Sequence, residues 1–323
     1  MRPGQRDPQG HGQQRQEQGR AEGYDQDALA RAFEAYRPRL LRVAYSTTGS
    51  LTEAEDCVQE SWLRLRRVPD PAAIHDLGAW LTRTVGRLAL DALGSARARR
   101  EQYVGTWLPE PLVEQPGTRG DLDPVEQITL DESVSMALLV VLEQLSPAER
   151  TAFLLHDIFG LSFPEVAEVV GRSPAAVRQL ASRARRHVED GQPRFPPSDG
   201  QQRELVAAFV TACRQGELDR LVTLLDPEVV CRGDGGGKVG ALGYIERGAL
   251  NVAKVLLAFS RQLPETPLMA VINGAPGLVI RGKDGRLSTV ALTFDNGRIT
   301  AVDVMRNPDK LGTLLDIESA TRD

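Results

Sequence analysis

Apolar residues recur at helical spacing from about residue 25 to 190 and at strand spacing from about 268 to 306, so this chain must build two kinds of layer. In DALARAFEAYRPRLLRVAYSTTG, Leu29, Phe33, Tyr36, Leu40 and Val43 share one helical stripe. In the last third, LMAVIN, GLVIRG, LSTVALTFD and ITAVDVMR are strand-like runs. Their separators APG, KDG and DNG are hairpin signals. At 323 residues the chain exceeds one ordinary core, and the pattern predicts all-α domains followed by an α+β domain.

Local signals divide the chain further. Thr52 with Glu55 reads as a capping box opening a helix through Val58, Trp62 and Leu65 to Arg67. The loop VPDPAAIHD precedes a third helix, LGAWLTRTVGRLALDALGSARARR. Periodicity fails over 101–124, where Pro109, Pro111, Pro116 and Pro124 favour an extended linker. Helices resume over 125–145, and Ser146-Pro147-x-Glu149, Ser162-x-Pro164-Glu165 and Ser173-Pro174 mark three further starts. RFPPSDG over 194–200 is a second linker. Helices at 201–215 and 218–225, a strand at 228–232, a glycine run and a helix near 241–260 precede the strands. Residues 1–23 lack apolar periodicity and are expected to be disordered.

A net charge of −5 conceals a segregated distribution. Residues 101–136 carry one basic and eight acidic side chains, whereas five arginines fall between Arg172 and Arg186, so different segments face different partners. Cys57, Cys213 and Cys231 are scattered and read as reduced packing residues, which places the protein in the cytoplasm. No apolar run approaches the roughly 18–20 residues of a membrane span, so no membrane partner is expected. The four histidines form no cluster with cysteine, and neither a metal site nor a cofactor is called for.

The segment LSFPEVAEVVGRSPAAVRQLASRARRHVED has the form of a helix-turn-helix. Val166, Ala167 and Val170 face inward, Gly171 permits the turn, and Ser173 caps a second helix packed through Val177, Leu180, Ala184 and Val188. Arg172 and Ser173 at its start, and Ala175, Arg178, Gln179, Ser182, Arg183 and Arg186 along its outer face, suit base edges and phosphates in a major groove. A solvated basic helix is the bland alternative.

Three segments in order now carry a resemblance. TEAEDCVQESWLRLRR (52–67), AWLTRTVGRLALDAL (79–93) and residues 146–188 resemble the polymerase-clamp helix, the −10 promoter helix and the −35-reading domain of extracytoplasmic-function sigma factors of bacterial RNA polymerase. The resemblance implies a sigma region 2 over 24–100, an acidic linker over 101–124 that threads a nucleic-acid channel, and a region 4 over 125–190. It implies contacts to the core enzyme's β′ clamp and β flap and to promoter DNA. Asp56, Gln59 and Glu60 would meet the clamp, and Arg83, Arg87, Arg97, Arg99 and Arg100 the −10 DNA. A flipped −10 base would be held near the 68–77 loop. Arg87 stands where many relatives have asparagine.

The run CRGDGGGKVG, over 231–240, first suggests a phosphate cradle. A P-loop needs a glycine where Arg232 stands and a hydroxyl residue where Val239 stands, so that reading fails. Instead, WLPEP (Trp107, Leu108, Pro109, Glu110, Pro111), DGGGK (Asp234, Gly235, Gly236, Gly237, Lys238) and NPDKL (Asn307, Pro308, Asp309, Lys310, Leu311) resemble motifs that recur together in a sigma-factor subset with a fused SnoaL-like, NTF2-like domain. That implies residues 201–323, after the 191–200 linker, form a cone-shaped regulatory domain. It would dock in cis on the linker and the two DNA-reading domains, replacing a dedicated anti-sigma factor. The aromatic Trp107 is a rigid anchor seeking a pocket, and the glycines permit close backbone approach.

Two other functions compete: a ligand-responsive helix-turn-helix regulator, and an enzyme of isomerase or cyclase type housed in the last domain. His11, His75, His156 and His187 all precede residue 190, leaving that domain only carboxylates such as Asp234, Asp295 and Asp303, read as turn or surface residues. No catalytic residue is assigned. A small hydrophobic ligand in the cone remains an open expectation.

Overall fold

The computed structural model describes residues 10–100, 103–114 and 135–312, with side chains over 26–96, 103–114 and 135–312. Helices α1 (Gly10–Thr48), α2 (Leu51–Arg66) and α3 (Leu77–Arg100) form the first bundle. The expected disorder through residue 23 is not met from Gly10 onward, where α1 begins. Its Gln, Arg and Glu residues are good helix formers even without an apolar stripe. Residues 1–9 lie outside the described residues. The N-cap of α2 is Ser50, whose hydroxyl accepts from the Glu53 amide, rather than Thr52. Gly49, in the left-handed region, ends α1 one residue earlier and leaves Ser50 extended for capping.

The second bundle comprises α4 (Met136–Leu142), α5 (Pro147–Phe153) with a π turn at Leu154–Ile158, α6 (Phe163–Val170) and α7 (Pro174–Gly191). Of the helix expected over 125–145, residues 125–134 lie outside the described residues. The two bundles share one core. Leu81, Val85 and Ala89 of α3 pack with Leu155, Leu161, Val166, Val177 and Ala181 of the second bundle. Arg150, 1% exposed, crosses between them: its Nε and Nη2 donate to the Ser46 carbonyl in the last turn of α1 at 3.2 and 3.0 Å, and it ion-pairs with Glu143. The pair satisfies a carbonyl that the helix end leaves open.

The C-terminal domain carries α8 (Asp199–Gln215), α9 (Leu218–Leu224) and α10 (Ala249–Ser260) on one face of a sheet. Its strands are β2 (Leu225–Asp234), β3 (Glu246–Arg247), β4 (Leu268–Ile272), β5 (Ala275–Arg281), β6 (Leu287–Asp295) and β7 (Arg298–Met305). A seventh strand, β1 (Val113–Glu114), comes from the linker, and the order is β1-β4-β5-β6-β7-β2-β3. Among the described residues, only β2 and β7 pair in parallel. Alternation sends Val290, Leu292, Val302 and Val304 inward to Phe209, Leu256 and Leu257. The opposite face packs Met305 on Leu108 and Leu311, and Ile272 and Ala291 on Met136 of α4. Sequence reading placed a turn at APG. The structure turns at Asn273-Gly274, with φ of 49° and 78°, and runs Ala275-Pro276-Gly277 inside β5. Asn-Gly supplies the two positive φ values that a tight hairpin needs.

Two helical bundles followed by a C-terminal domain of helices on a curved sheet are therefore the architecture of the chain, as the apolar spacing predicts. Burial pushes the thiols of Cys57, Cys213 and Cys231 up to about 12, so all three stay protonated packing groups. Among the described residues, no helix is long and apolar enough to cross a membrane.

Candidate nucleic-acid interface and interdomain latch

Local sequence sets the geometry of the helix-turn-helix. The Ser162 hydroxyl accepts from the Glu165 amide while Glu165 reaches back to the Ser162 amide, and Ser173 caps α7 through the Ala176 amide. Gly171 turns the chain at φ 68°. Against expectation, Ala181 rather than Leu180 lies in the buried stripe of α7, and Val169 rather than Val170 in that of α6, although Leu180 and Val170 still pack on the core. Arg172, Ser173, Ala175, Arg178, Gln179, Ser182, Arg183 and Arg186 are all exposed. The Arg178 guanidinium lies 4.8 Å from the Phe163 ring, which itself stacks on His156 at 3.8 Å. One helix thus presents a continuous cationic and hydrogen-bonding face.

The α3 face is partly covered. Arg87 is exposed, but Arg83 Nη1 lies 3.2 Å from Glu165 Oε1 of α6. A Cβ at Gly86 would lie 3.0 Å from a Leu155 methyl, so glycine permits this close approach of the bundles. The Ser162 hydroxyl and amide, and then Arg83, hold the Glu165 carboxyl below its ordinary value. The side chains of Arg97, Arg99 and Arg100 lie outside the described residues. On α2, Asp56 and Gln59 are exposed, and Glu60 pairs with Arg64 at 3.1 Å. Trp62 packs on Phe33.

The structure brings the three motifs from distant parts of the sequence together. Residues 108–112 are all buried. Asp234, fully buried, receives hydrogen bonds from Tyr103 Oη at 2.5 Å, the Leu108 amide at 2.9 Å and Lys310 Nζ at 2.8 Å. Lys310 Nζ also donates to the Leu108 carbonyl at 2.6 Å and lies 3.9 Å from the Trp107 ring centroid. Trp107 reaches the first bundle: a Cβ at Gly49 would lie 2.9 Å from its ring. Asn307 donates to Tyr103 Oη at 2.9 Å, and a Cβ on Gly236 would fall 2.5 Å from the Asn307 side chain. Lys238 instead meets Asp309 at 2.6 Å, and both are more than half exposed, a pair worth little. The buried cation of this latch is Lys310.

Tyr45 and Asn273, which sequence reading did not single out, join Glu110 in a second contact. Tyr45 Oη, 0% exposed, donates to the Glu110 carbonyl at 2.6 Å and accepts from Asn273 Nδ2 at 2.8 Å. Asn273 in turn clasps Leu112, its amide donating to the Leu112 carbonyl and its Oδ1 accepting from the Leu112 amide. The Glu110 carboxylate accepts from the Leu51 amide at 2.8 Å and the Ser50 hydroxyl at 3.3 Å, so the linker caps α2. Burial raises the Glu110 carboxyl above its ordinary value despite these bonds. An unusual tyrosine in the buried stripe of α1 was the available signal. The turn or surface reading of Asp234 and Asp303 needs correction, while Asp295 does stand at the β6–β7 turn. Asp303 is 3% exposed and pairs with Arg232 at 2.8 Å, because parallel β2 and β7 set these residues opposite each other. Asp295 binds the Phe195 amide, which ties down the second linker.

These features match known proteins over most of the chain. The model of sigma-70 region 2 matches residues 32–99, and that of sigma-70 region 4 matches residues 135–188. The chain is 42% identical to the ECF RNA polymerase sigma factor SigJ of Mycobacterium tuberculosis over 292 residues, covering 86% of this chain and 91% of that protein. It is 35% identical to the probable ECF sigma factor SigI of the same species, covering 89% and 96%. The crystal structure of M. tuberculosis SigJ aligns with a TM-score of 0.72 at 38% identity, covering 87% of this chain and 98% of that one.

Proposed function

The chain belongs to the extracytoplasmic-function family of RNA polymerase sigma factors, and from this premise we propose that its C-terminal domain holds the two promoter-reading regions in a closed, inactive arrangement. The supporting observation is the buried latch of Asp234, Lys310 and Tyr103 on the linker. Elements at −10 and −35 are about 25 base pairs apart, roughly 85 Å at 3.4 Å per step. An ion pair of 3.2 Å between Arg83 and Glu165 does not survive that separation, so the bundles must part before both elements are read.

In the opened chain, the α7 face from Arg172 to Arg186 reads the −35 element, with Arg178 and Gln179 nearest the base edges. Arg83 and Arg87, with Arg97, Arg99 and Arg100, contact the −10 DNA, and Asp56, Gln59 and Glu60 meet the polymerase clamp. The work is done in the cytoplasm, where bacterial RNA polymerase acts, and the cis domain takes the place of a separate anti-sigma factor. The domain acts by contact rather than by catalysis. Its carboxylates Asp234, Asp295 and Asp303 are engaged by Lys310 and Tyr103, the Phe195 amide and Arg232 respectively.

Deleting residues 201–323 tests the reading. Promoter-dependent transcription and core-polymerase affinity are expected to rise while hydrodynamic compactness falls. Unchanged values in both measurements overturn it.

A further inference from the structure

The C-terminal domain encloses a cavity of about 260 Å³ on the side of its sheet opposite the linker. Its walls are Phe209, Leu256, Phe259, Leu278, Ile280 and Val304. At the rim stand one cation, Arg214, one carboxylate, Glu265, and the hydroxyls of Ser260 and Thr266. An apolar body with one neutral hydrogen-bonding end fits this lining, since the two rim charges offset each other.

The cavity connects to the latch through four consecutive residues. Val304 lines the cavity, and Met305 on the other face packs on Leu108 and Leu311. Arg306 lies with its guanidinium 5.6 Å from the Phe259 ring centroid and donates to the Gly240 carbonyl beyond the glycine run. The amides of Arg306 and Asn307 both donate to the Asp234 carbonyl, at 2.7 and 3.0 Å, and the Asn307 side chain holds Tyr103. Arg306 Nε is buried without an acceptor among the described residues. That unpaired donor costs free energy where it stands, and the guanidinium is held by the Gly240 carbonyl and the Phe259 ring.

We propose that the cavity binds a small, uncharged, mostly apolar molecule with one hydrogen-bonding end, and that filling it displaces Phe259 and Arg306 and loosens the Asp234 latch on the linker. The proposal rests on the regulatory reading above and supplies it with a signal. The energy for release is the difference in the ligand's affinity between the released and latched states.

The test uses the full chain, labelled with fluorotryptophan, and α-naphthol as the probe. Naphthol is expected to bind saturably and to shift the Trp107 fluorine resonance, identified by its loss in Trp107→Phe. Val210→Trp and, separately, Leu263→Trp fill the cavity and are expected to weaken binding at least about tenfold with an unchanged circular dichroism spectrum. Should one variant fail to fold, the other carries the comparison. No saturable binding, equal binding by the folded filled variants, or binding that leaves the Trp107 resonance in place overturns the proposal. Asp234→Ala separates this from the underlying reading. If that variant does not raise core-polymerase affinity, the regulatory reading fails, and the naphthol measurements still decide the cavity's link to Trp107.

Discussion

Lys310 Nζ lies 2.8 Å from Asp234 Oδ2, with the aspartate side chain 0% and the lysine side chain 12% exposed. These two residues lie 76 positions apart, yet both hold the same linker residue: Asp234 accepts from the Leu108 amide, and Lys310 donates to the Leu108 carbonyl. Leu108 gripped at both its amide and its carbonyl by an ion pair is a specific lock, because shifting the linker by one residue breaks both hydrogen bonds at once.

Asp234→Ala is expected to weaken the docked state by about 3–5 kcal/mol, since it removes the carboxylate from an ion pair whose acid is fully buried. Lys310→Met, which removes the cation but keeps bulk on Trp107, still strands the carboxylate and is expected to be destabilising as well. Denaturant unfolding and protease cleavage within 103–114 measure both.

Acid is expected to act on the molecule in two opposite ways. Burial raises the carboxyl of Glu110, so the docked linker holds that proton more tightly than the free one. Docking is therefore strongest below the ordinary glutamate value and weakens as pH rises through the raised one. Glu165 is shifted the other way, and its contribution, first to the Ser162 cap of α6 and then to the Arg83 contact with α3, is present above the ordinary value and lost as pH falls through the lowered one. Glu110→Gln is expected to flatten the first dependence alone, measured as the pH profile of linker cleavage. The comparison between the two chains is needed because burial raises Asp303 too, and its effect has the same sign.

Among the arginines of α7, Arg178→Ala is expected to cost about 1–3 kcal/mol and to relax preference at one −35 base pair. Arg186→Ala should weaken binding evenly across sequences and lower the salt slope by about one. Holoenzyme binding to a panel of single-base promoter variants, at several salt concentrations, separates the two.

Tyr45→Phe removes a hydroxyl that joins α1, the linker and the sheet. It leaves the Glu110 carbonyl and the Asn273 amide buried without that partner, at a cost of about 1–3 kcal/mol. Thermal unfolding of the variant gives the value. A change below the lower bound would mean that the hydroxyl does not hold the three parts together.

Local features were legible in the sequence and distant ones mostly were not. Ser162, Gly171 and Ser173 act on amides within a few residues, so the helix-turn-helix could be read from spacing alone. Thr52 satisfied the same capping pattern as Ser50, and only the left-handed Gly49 decided between them. The strands were found, but APG drew attention away from Asn273-Gly274, whose side chain and backbone proved to be the clasp for Leu112. That WLPEP, DGGGK and NPDKL occur together suggested contact, while the spacing gave no hint that Lys310 rather than Lys238 is the buried cation. The partners of Tyr45 lie on the linker and the sheet and the Ser46 partner of Arg150 on the other bundle, contacts for which a single sequence carries no periodic signal.

The first strand of the sheet pairs Val113 with Ile272, positions 159 apart (272 − 113). At roughly 5–20 residues per second, a ribosome needs roughly 8–30 seconds to travel between them. Throughout that interval the first bundle already exists, and the second is completed within it, while the edge that will capture their connector has not been made. Each newborn molecule is thus expected to pass through a brief unrestrained stage, and restraint arrives only as translation approaches its end.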